Sequence, residues 1–248
     1  MLRVDLNCDM GEGCGSDAEL MRYITSANIA CGFHAGDAAT MRRTAELAVE
    51  HGVNIGAHPG YPDRENFGRS PIKMSARDLA AIVSEQVHAM RETARTAGGR
   101  LFHVKPHGAL YNQAAKDPEI SAAIAEAVRD VDTALVLYGL SGSASIDGAK
   151  KIGLAAAAEA FADRTYQSDG SLTPRKEDNS LVRDAGTAAT QALDMVKYGR
   201  VRSVDAIMIK IVADTICIHG DGPKALTFAQ VIRSALEGNG IRISAPDE

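Results

Sequence analysis

Val4-Asp5-Leu6-Asn7-Cys8-Asp9 alternates apolar and polar residues, and that alternation decides the fold. In an extended chain successive side chains point to opposite faces. Asp5, Asn7 and Asp9 therefore share one face, and Leu6 and Cys8 share the other, where they suit packing beneath helices. An aspartate turned into a barrel interior is costly unless it is hydrogen-bonded, paired or in contact with a ligand. The bland alternative is an Asp5 that only holds loop amides. The predicted strand, Leu2–Leu6, ends in Asn7-Cys8-Asp9-Met10-Gly11-Glu12-Gly13, a glycine-rich turn that carries Glu12.

Outward from this stretch the same rhythm recurs. Strands are expected at Ser26–Cys31, Val53–Ala57, Leu101–Lys105, Ala134–Tyr138, Leu154–Ala158, Ile207–Val212 and Thr215–Ile218. Helical patterns stand between them: Ser16–Met21, Ala38–His51, Ser75–Ala97, Asp117–Arg129, Ser145–Ile152, Ala185–Tyr198 and Pro223–Leu236. Gly52 is placed to end one helix and Ser75 to start another. About seven βα units with no break in composition predict an α/β fold of one domain over residues 1–248: a (β/α) barrel, seven-stranded and irregular, with parallel strands inside and helices outside. A doubly wound open sheet is the alternative.

Barrels of this kind take their chemistry from the carboxyl ends of different strands, and polar residues collect there. Phe102-His103-Val104-Lys105-Pro106-His107-Gly108 is the densest cluster. His103 and Lys105 alternate with apolar partners and face inward, and His107 follows at the mouth. Mutual repulsion among the three should lower the pKa of each, and the group should attract an anion. Asn28, His34, His58, Glu159, Asp163, His219 and Asp221 end other strands. Asp37 either joins them or caps the next helix. Carboxylates with imidazoles suit a bound divalent metal, with Asp5, His58 and His107 as ligand candidates; they suit metal-free acid–base chemistry equally.

Composition narrows the field. The chain has 248 residues, a formal charge of -5 and 45% hydrophobic residues. That balance argues against a nucleic-acid binder. No apolar run reaches membrane-spanning length, so no membrane partner is expected. Cys8, Cys14, Cys31 and Cys217 lack metal-knuckle or redox spacing, and no secretory signal pattern stands at Met1; a cytoplasmic protein with reduced thiols is expected. Gly11-Glu12-Gly13-Cys14-Gly15 is not a dinucleotide fingerprint, and HExxH, GxSxG and a P-loop are absent.

Long blocks of the sequence resemble the LamB/YcsF family. They are VDLNCD with Gly11-Glu12, SANIACGFHAGD (26–37), GAHPGY (56–61), Phe67-Gly68-Arg69, HVKPHGALYN (103–112), EAFADR (159–164) with Tyr166, and ICIHGD (216–221). The resemblance spans essentially the whole chain. It implies a barrel similar to those of glycoside hydrolases and polysaccharide deacetylases. It also implies one component of a 5-oxoprolinase, which opens 5-oxo-L-proline to L-glutamate with ATP as co-substrate, working with subunits B and C. In that reading the partners activate the lactam and this chain completes ring opening. The matching positions are catalytic candidates at Asp5, Asn7, Glu12, His34, His58, Lys105, His107 and Glu159, and substrate-binding candidates at Asn28, Arg69, Asp163 and Asp221. Lys105 is the expected stabiliser of developing negative charge. Two departures stand out: Ser70 replaces a second arginine after the Phe67 block, and Val87-His88 replaces a Tyr-Gln pair. The competing functions are a metal-dependent deacetylase or polysaccharide hydrolase, and a non-catalytic scaffold.

Overall fold

The structure is a computed structural model, which describes residues 1–219 and 224–246. The order of elements is β1 (Arg3–Met10), α1 (Asp17–Leu20), β2 (Ser26–Ala30), α2 (Ala38–His51), β3 (Asn54–His58), α3 (Ala76–Thr96), β4 (Leu101–Val104), α4 (Gly108–Ala114), α5 (Pro118–Val131), β5 (Val136–Leu140), α6 (Ala144–Lys151), β6 (Ala155–Phe161), α7 (Ala185–Tyr198), β7 (Arg200–Arg202), β8 (Met208–Lys210), β9 (Thr215–Ile218), α8 (Ala225–Gly238) and β10 (Arg242–Ile243). β1 to β6 pair in chain order, β9 follows β6, and β9 pairs back onto β1. Every rung of that ring is parallel. The result is a closed seven-stranded barrel, with β10 added to the foot of β1.

The alternation along β1 works as read. Leu6 and Cys8 are fully buried with Ala27, Ile29 and Ala45 in the layer between barrel and helices. Asp5 and Asn7 are equally buried, but they hydrogen-bond within the barrel interior, Asp5 to Tyr138 and Asn7 to Glu159. Local signals also act as expected. Gly52 ends α2 in the left-handed region at φ 65, and the Ser75 hydroxyl accepts the Asp78 amide at the start of α3. Asp37 caps α2 by accepting the Thr40 amide at 2.7 Å.

Three expectations about elements need correction. The segment expected as one strand at 207–212 is only β8, antiparallel to β7 in a ribbon outside the barrel. Its Ile207, Met208 and Val212 are exposed, so β propensity there does not mean burial. α4 is absent from the expected helices: His107 supplies no side-chain cap, and Ala109, Leu110, Tyr111 and Ala114 are all buried, so in seven residues there is no cap and only Asn112 and Gln113 to mark a polar side. β10 is too short to leave a pattern.

Two glycines position the site. β3 shifts register between Ile55 and Gly56, and Gly56 then lies opposite His103. A Cβ on Gly56 would stand 2.0 Å from His103 Nε2, so the ring occupies the space that only glycine leaves. Gly68, at φ 64, sits where a Cβ would come within 2.7 Å of His34 and 2.9 Å of His107. Phe67 before it also has positive φ, 57, which is strained for an aromatic residue.

Candidate active site

The barrel interior is polar in successive levels. At the floor lies Asp5. One of its oxygens accepts from Thr25 (2.6 Å) and Ser26 (2.8 Å); the other accepts from Thr215 (2.6 Å) and Tyr138 (3.1 Å). Burial raises its pKa, and these four hydroxyls oppose the rise. Above it, Asn7 donates to Glu159 (2.9 Å) and Thr215 (2.7 Å), and its carbonyl accepts from Asn28 (2.7 Å). Asn28 accepts in turn from His103 Nε2 at 2.7 Å, and the His103 ring stacks on Tyr138.

The next level is ionic. Lys105 Nζ lies 2.9 Å from Asp9 Oδ1 and 2.9 Å from Glu159 Oε1, and 3.1 Å from Cys217 Sγ. Burial alone would depress its pKa, but Asp9, Cys217 and Glu159 outweigh burial and hold it well above the ordinary lysine value. The expected downward shift of Lys105 is therefore corrected: two carboxylates dominate over neighbouring imidazoles. His103 does move down, to about 3, through burial and the Lys105 charge. Asp9 shows the complement. Burial would raise it, yet His58 and Lys105 hold it well below the usual carboxylate range.

At the mouth, Glu12, His34, His58 and His107 bring one donor atom each to within 4.8 Å of one another. His58 Nδ1–H donates to the Lys105 carbonyl at 2.6 Å, which leaves Nε2 facing inward. His107 Nε2–H donates to the carbonyl of strained Phe67 at 2.9 Å, which leaves Nδ1 facing inward. Those two inward nitrogens are 2.9 Å apart. Each ring has spent its N–H outward, so two lone pairs confront each other unless a proton or a cation lies between them. Glu12 Oε1 stands 3.4 Å from His107 Nδ1 and 3.2 Å from His34 Nε2. His34 stacks flat on His107 with centroids 3.8 Å apart. Burial, then the charge of His58, lowers His34 to about 3, and the same two causes with His34 lower His107 well below the imidazole range. Three imidazoles, two of them anchored by backbone carbonyls, plus one carboxylate fit a divalent cation. Asp5 is the one misplaced metal candidate. It lies at the floor with four hydroxyl partners, outside this group, and Lys105 is paired with Asp9 and Glu159, not with Asp5.

The remaining candidates rim the mouth. Asp163 accepts from His219 through both the backbone amide (3.0 Å) and Nδ1 (2.8 Å), which leaves Nε2 as the ring nitrogen not used by that pair. His219 and Lys105, with Asp9, His58 and His107, line a pocket of about 50 Å³. Arg69 stacks over Phe67 at 4.9 Å and lines the same pocket. Asp221 lies outside the described residues. The catalytic and binding candidates named from sequence left out Asp9 and Tyr111, which line the pocket, and gave His219 only a place at a strand end. Asp9 shares the inward parity of Asp5 and Asn7, which is the signal that identifies it. Tyr111 lies on α4, which leaves no mark in the sequence.

Fold and site together define a (β/α) barrel whose mouth gathers an ion-paired lysine, an Asp–His pair and an imidazole–carboxylate cluster. Residues 4–248 match the LamB/YcsF family, and the chain belongs to it. The A subunit of 5-oxoprolinase from Bordetella parapertussis is 53% identical over 247 residues, covering 98% of each chain. The solved structure of the "Lactam Utilization Protein" from Thermus thermophilus is 41% identical, with a TM-score of 0.92 over 99% of this chain and 100% of that one. The "peptidoglycan deacetylase PdaC" of Bacillus subtilis superposes at TM-score 0.51 over 98% of this chain and 87% of that one. At 11% identity it shows a shared barrel only.

Proposed function

We propose that this chain is the A subunit of a 5-oxoprolinase, a single barrel domain that completes the ATP-dependent opening of 5-oxo-L-proline to L-glutamate. The observation that carries this is the identity of 53% across 98% of the relative that bears that name. Subunits B and C are the expected partners, with ATP as their co-substrate and the cytoplasm as the setting. Among the described residues no helix is long and apolar enough to cross a membrane.

The lactam is a stable amide, so its carbonyl oxygen is first phosphorylated by ATP. Water then adds to the ring carbon, the C–N bond breaks, and the nitrogen takes a proton. The resulting acyl phosphate is hydrolysed by a second water to the carboxylate and phosphate. His219, oriented through Nδ1 by Asp163, presents Nε2 to the pocket and accepts the proton of the attacking water. Lys105, held charged by Asp9 and Glu159, stabilises the negative charge that develops on oxygen. Asn7 and Asn28 fix that ion pair from below by donating to Glu159 and Asp9. Glu12, His34, His58 and His107 would hold a divalent cation, which when bound would supply Lewis acidity beside the same pocket.

The test is reconstitution with the B and C subunits, following glutamate release from 5-oxoproline. Release that needs all three subunits and ATP is the expected result. ATP-driven turnover by this chain alone, or none from the full set, refutes the proposal.

A further inference from the structure

The pocket at the barrel mouth holds about 50 Å³, room for one or two waters and no more. It opens into a cleft of about 1120 Å³ beside α4 and the segment 171–175. Arg69, Arg164 and Arg175 line both spaces, and Lys116 lines the cleft. Among the described residues, Asp117 and Glu119 alone bring negative charge to that lining, and Asp117 is engaged as the cap of α5, where it accepts two backbone amides. The cleft is thus locally cationic in a chain whose formal charge is -5.

Arg164 is buried and rigidly held. Its Nε donates to the Ser180 carbonyl at 3.1 Å and its Nη2 to the Thr173 carbonyl at 2.6 Å. Those bonds tie the guanidinium to the loop that carries Arg175. Burial first, and then the Arg175 charge, brings Arg164 down to about 10. Neither Arg164 nor Arg175 has a carboxylate within ion-pair distance among the described residues. Arg164 and Arg175 line the same two spaces, and the Arg175 charge disfavours the charged form of the buried Arg164. A multiply charged anion with several acceptor oxygens relieves that cost, and the forked guanidinium geometry matches a phosphoryl group.

We propose that this cleft is a phosphoryl-binding vestibule, in which Arg175 and Arg164, with Arg69 and Lys116 on its walls, receive the phosphate of a lactam already activated by O-phosphorylation. The proposal rests on the function proposed above and names the form of substrate that this site admits. Size argues the same way: the inner pocket has space for the attacking water, so the phosphoryl group stays in the cleft. Arg175, exposed and on the loop, is the specificity-determining residue. Arg164 is a positioning residue for that loop as well as a wall.

The test titrates the purified full chain with inorganic phosphate and, separately, with ATP, in wild type, Arg175→Gln and Arg175→Lys, with circular dichroism and melting confirming the fold. Saturable phosphate binding that weakens at least tenfold in Arg175→Gln and is only partly restored in Arg175→Lys is expected, with ATP binding no tighter than phosphate. Absence of saturable phosphate binding, or equal binding by wild type and Arg175→Gln, overturns the vestibule. Tighter ATP binding with the same dependence on Arg175 also overturns it, since the cleft is then a nucleotide site. The reconstituted complex supplies the second arm. Arg175→Gln should raise the ratio of ATP hydrolysed to glutamate formed, because activated lactam is made but not captured; an unchanged ratio refutes the substrate assignment. If wild-type chain with subunits B and C forms no glutamate while phosphate binding still depends on Arg175, the function proposed above fails and the anion site stands.

Discussion

The floor and the mouth of this barrel carry similar residues under opposite conditions. At the floor, Asp5 is buried with four hydroxyl groups on its two oxygens, two to each. At the mouth, Glu12 faces three imidazoles, and two of those rings turn their inward nitrogens toward each other at 2.9 Å. The floor is complete as it stands. The mouth is complete only when something joins it. A buried polar group says little by itself about function; whether its partners are already supplied by the chain says much more. Lys105 lies between the two regimes, paired with Asp9 and Glu159 yet lining the pocket.

Lys105→Met should give the largest effect. Glutamate release by the reconstituted complex is expected to fall by at least roughly a hundredfold, as when one transition-state donor is lost. The fall should lie in kcat with the 5-oxoproline KM little changed. The variant also leaves Asp9 and Glu159 buried without their cation, so it should lose about 3–5 kcal/mol of stability by urea denaturation. An unchanged kcat in folded Lys105→Met would move the lysine from the mouth's chemistry to the floor's architecture.

The cation reading sharpens the same contrast. The chain should bind zinc, measured by titration of metal-stripped protein. His107→Ala should weaken binding by more than the roughly tenfold to hundredfold typical of losing an outer-shell partner. Asp5→Asn should leave zinc affinity as it was, because Asp5 lies outside the donor group. Equal loss in both variants would erase the distinction.

Asp5→Asn should instead act on stability. It removes the charge that four hydroxyl groups stabilise and should cost about 1.5–3 kcal/mol. Wild-type stability in this variant would show that the hydroxyl network repacks freely.

The smallest effect is a pH slope at His103. Its pKa is about 3 in the fold against 6.5 as the ordinary value, through burial and Lys105. The unfolded chain therefore takes up a proton between those values that the folded chain refuses. The stability from the neutral ring is fully present above the ordinary value and is lost as pH falls toward about 3, at roughly 1.4 kcal/mol per pH unit. Unfolding free energies from urea titrations between pH 6.5 and 4.5 should fall less steeply in His103→Gln by that amount. A slope equal to wild type would remove His103 from the account of acid sensitivity.

How far the sequence discloses this contrast depends on the kind of signal. Alternation in Val4–Asp9 and the spacing of βα units define the barrel, because strand parity and helix period are local. The same parity points inward for Asp5, Asn7, Asp9, His103 and Lys105. It does not tell depth, and depth separates Asp5 from Asp9: Asp5 meets Thr215 at the foot of β9, whereas Asp9 meets Lys105 beyond the end of β4. Depth comes from strand register and from the Gly56 shift, which only the closed ring reveals. The Lys105 shift is opaque for the same reason, since its carboxylates come from β1 and β6. α4 hides because it is buried on most sides, and the 198–212 ribbon misleads because Ile207, Met208 and Val212 are exposed while Val201 and Ile211 alone among its large apolar residues are buried.

The most direct test sets floor against mouth in one assay: kcat for glutamate release by the reconstituted complex with Glu12→Gln and with Asp5→Asn, each confirmed folded and assembled. Both changes replace a buried carboxylate with its amide. Glu12→Gln should lose at least roughly a hundredfold in kcat, while Asp5→Asn keeps kcat near wild type and loses stability only. Near wild-type kcat for Glu12→Gln alongside a collapse for Asp5→Asn would contradict the account.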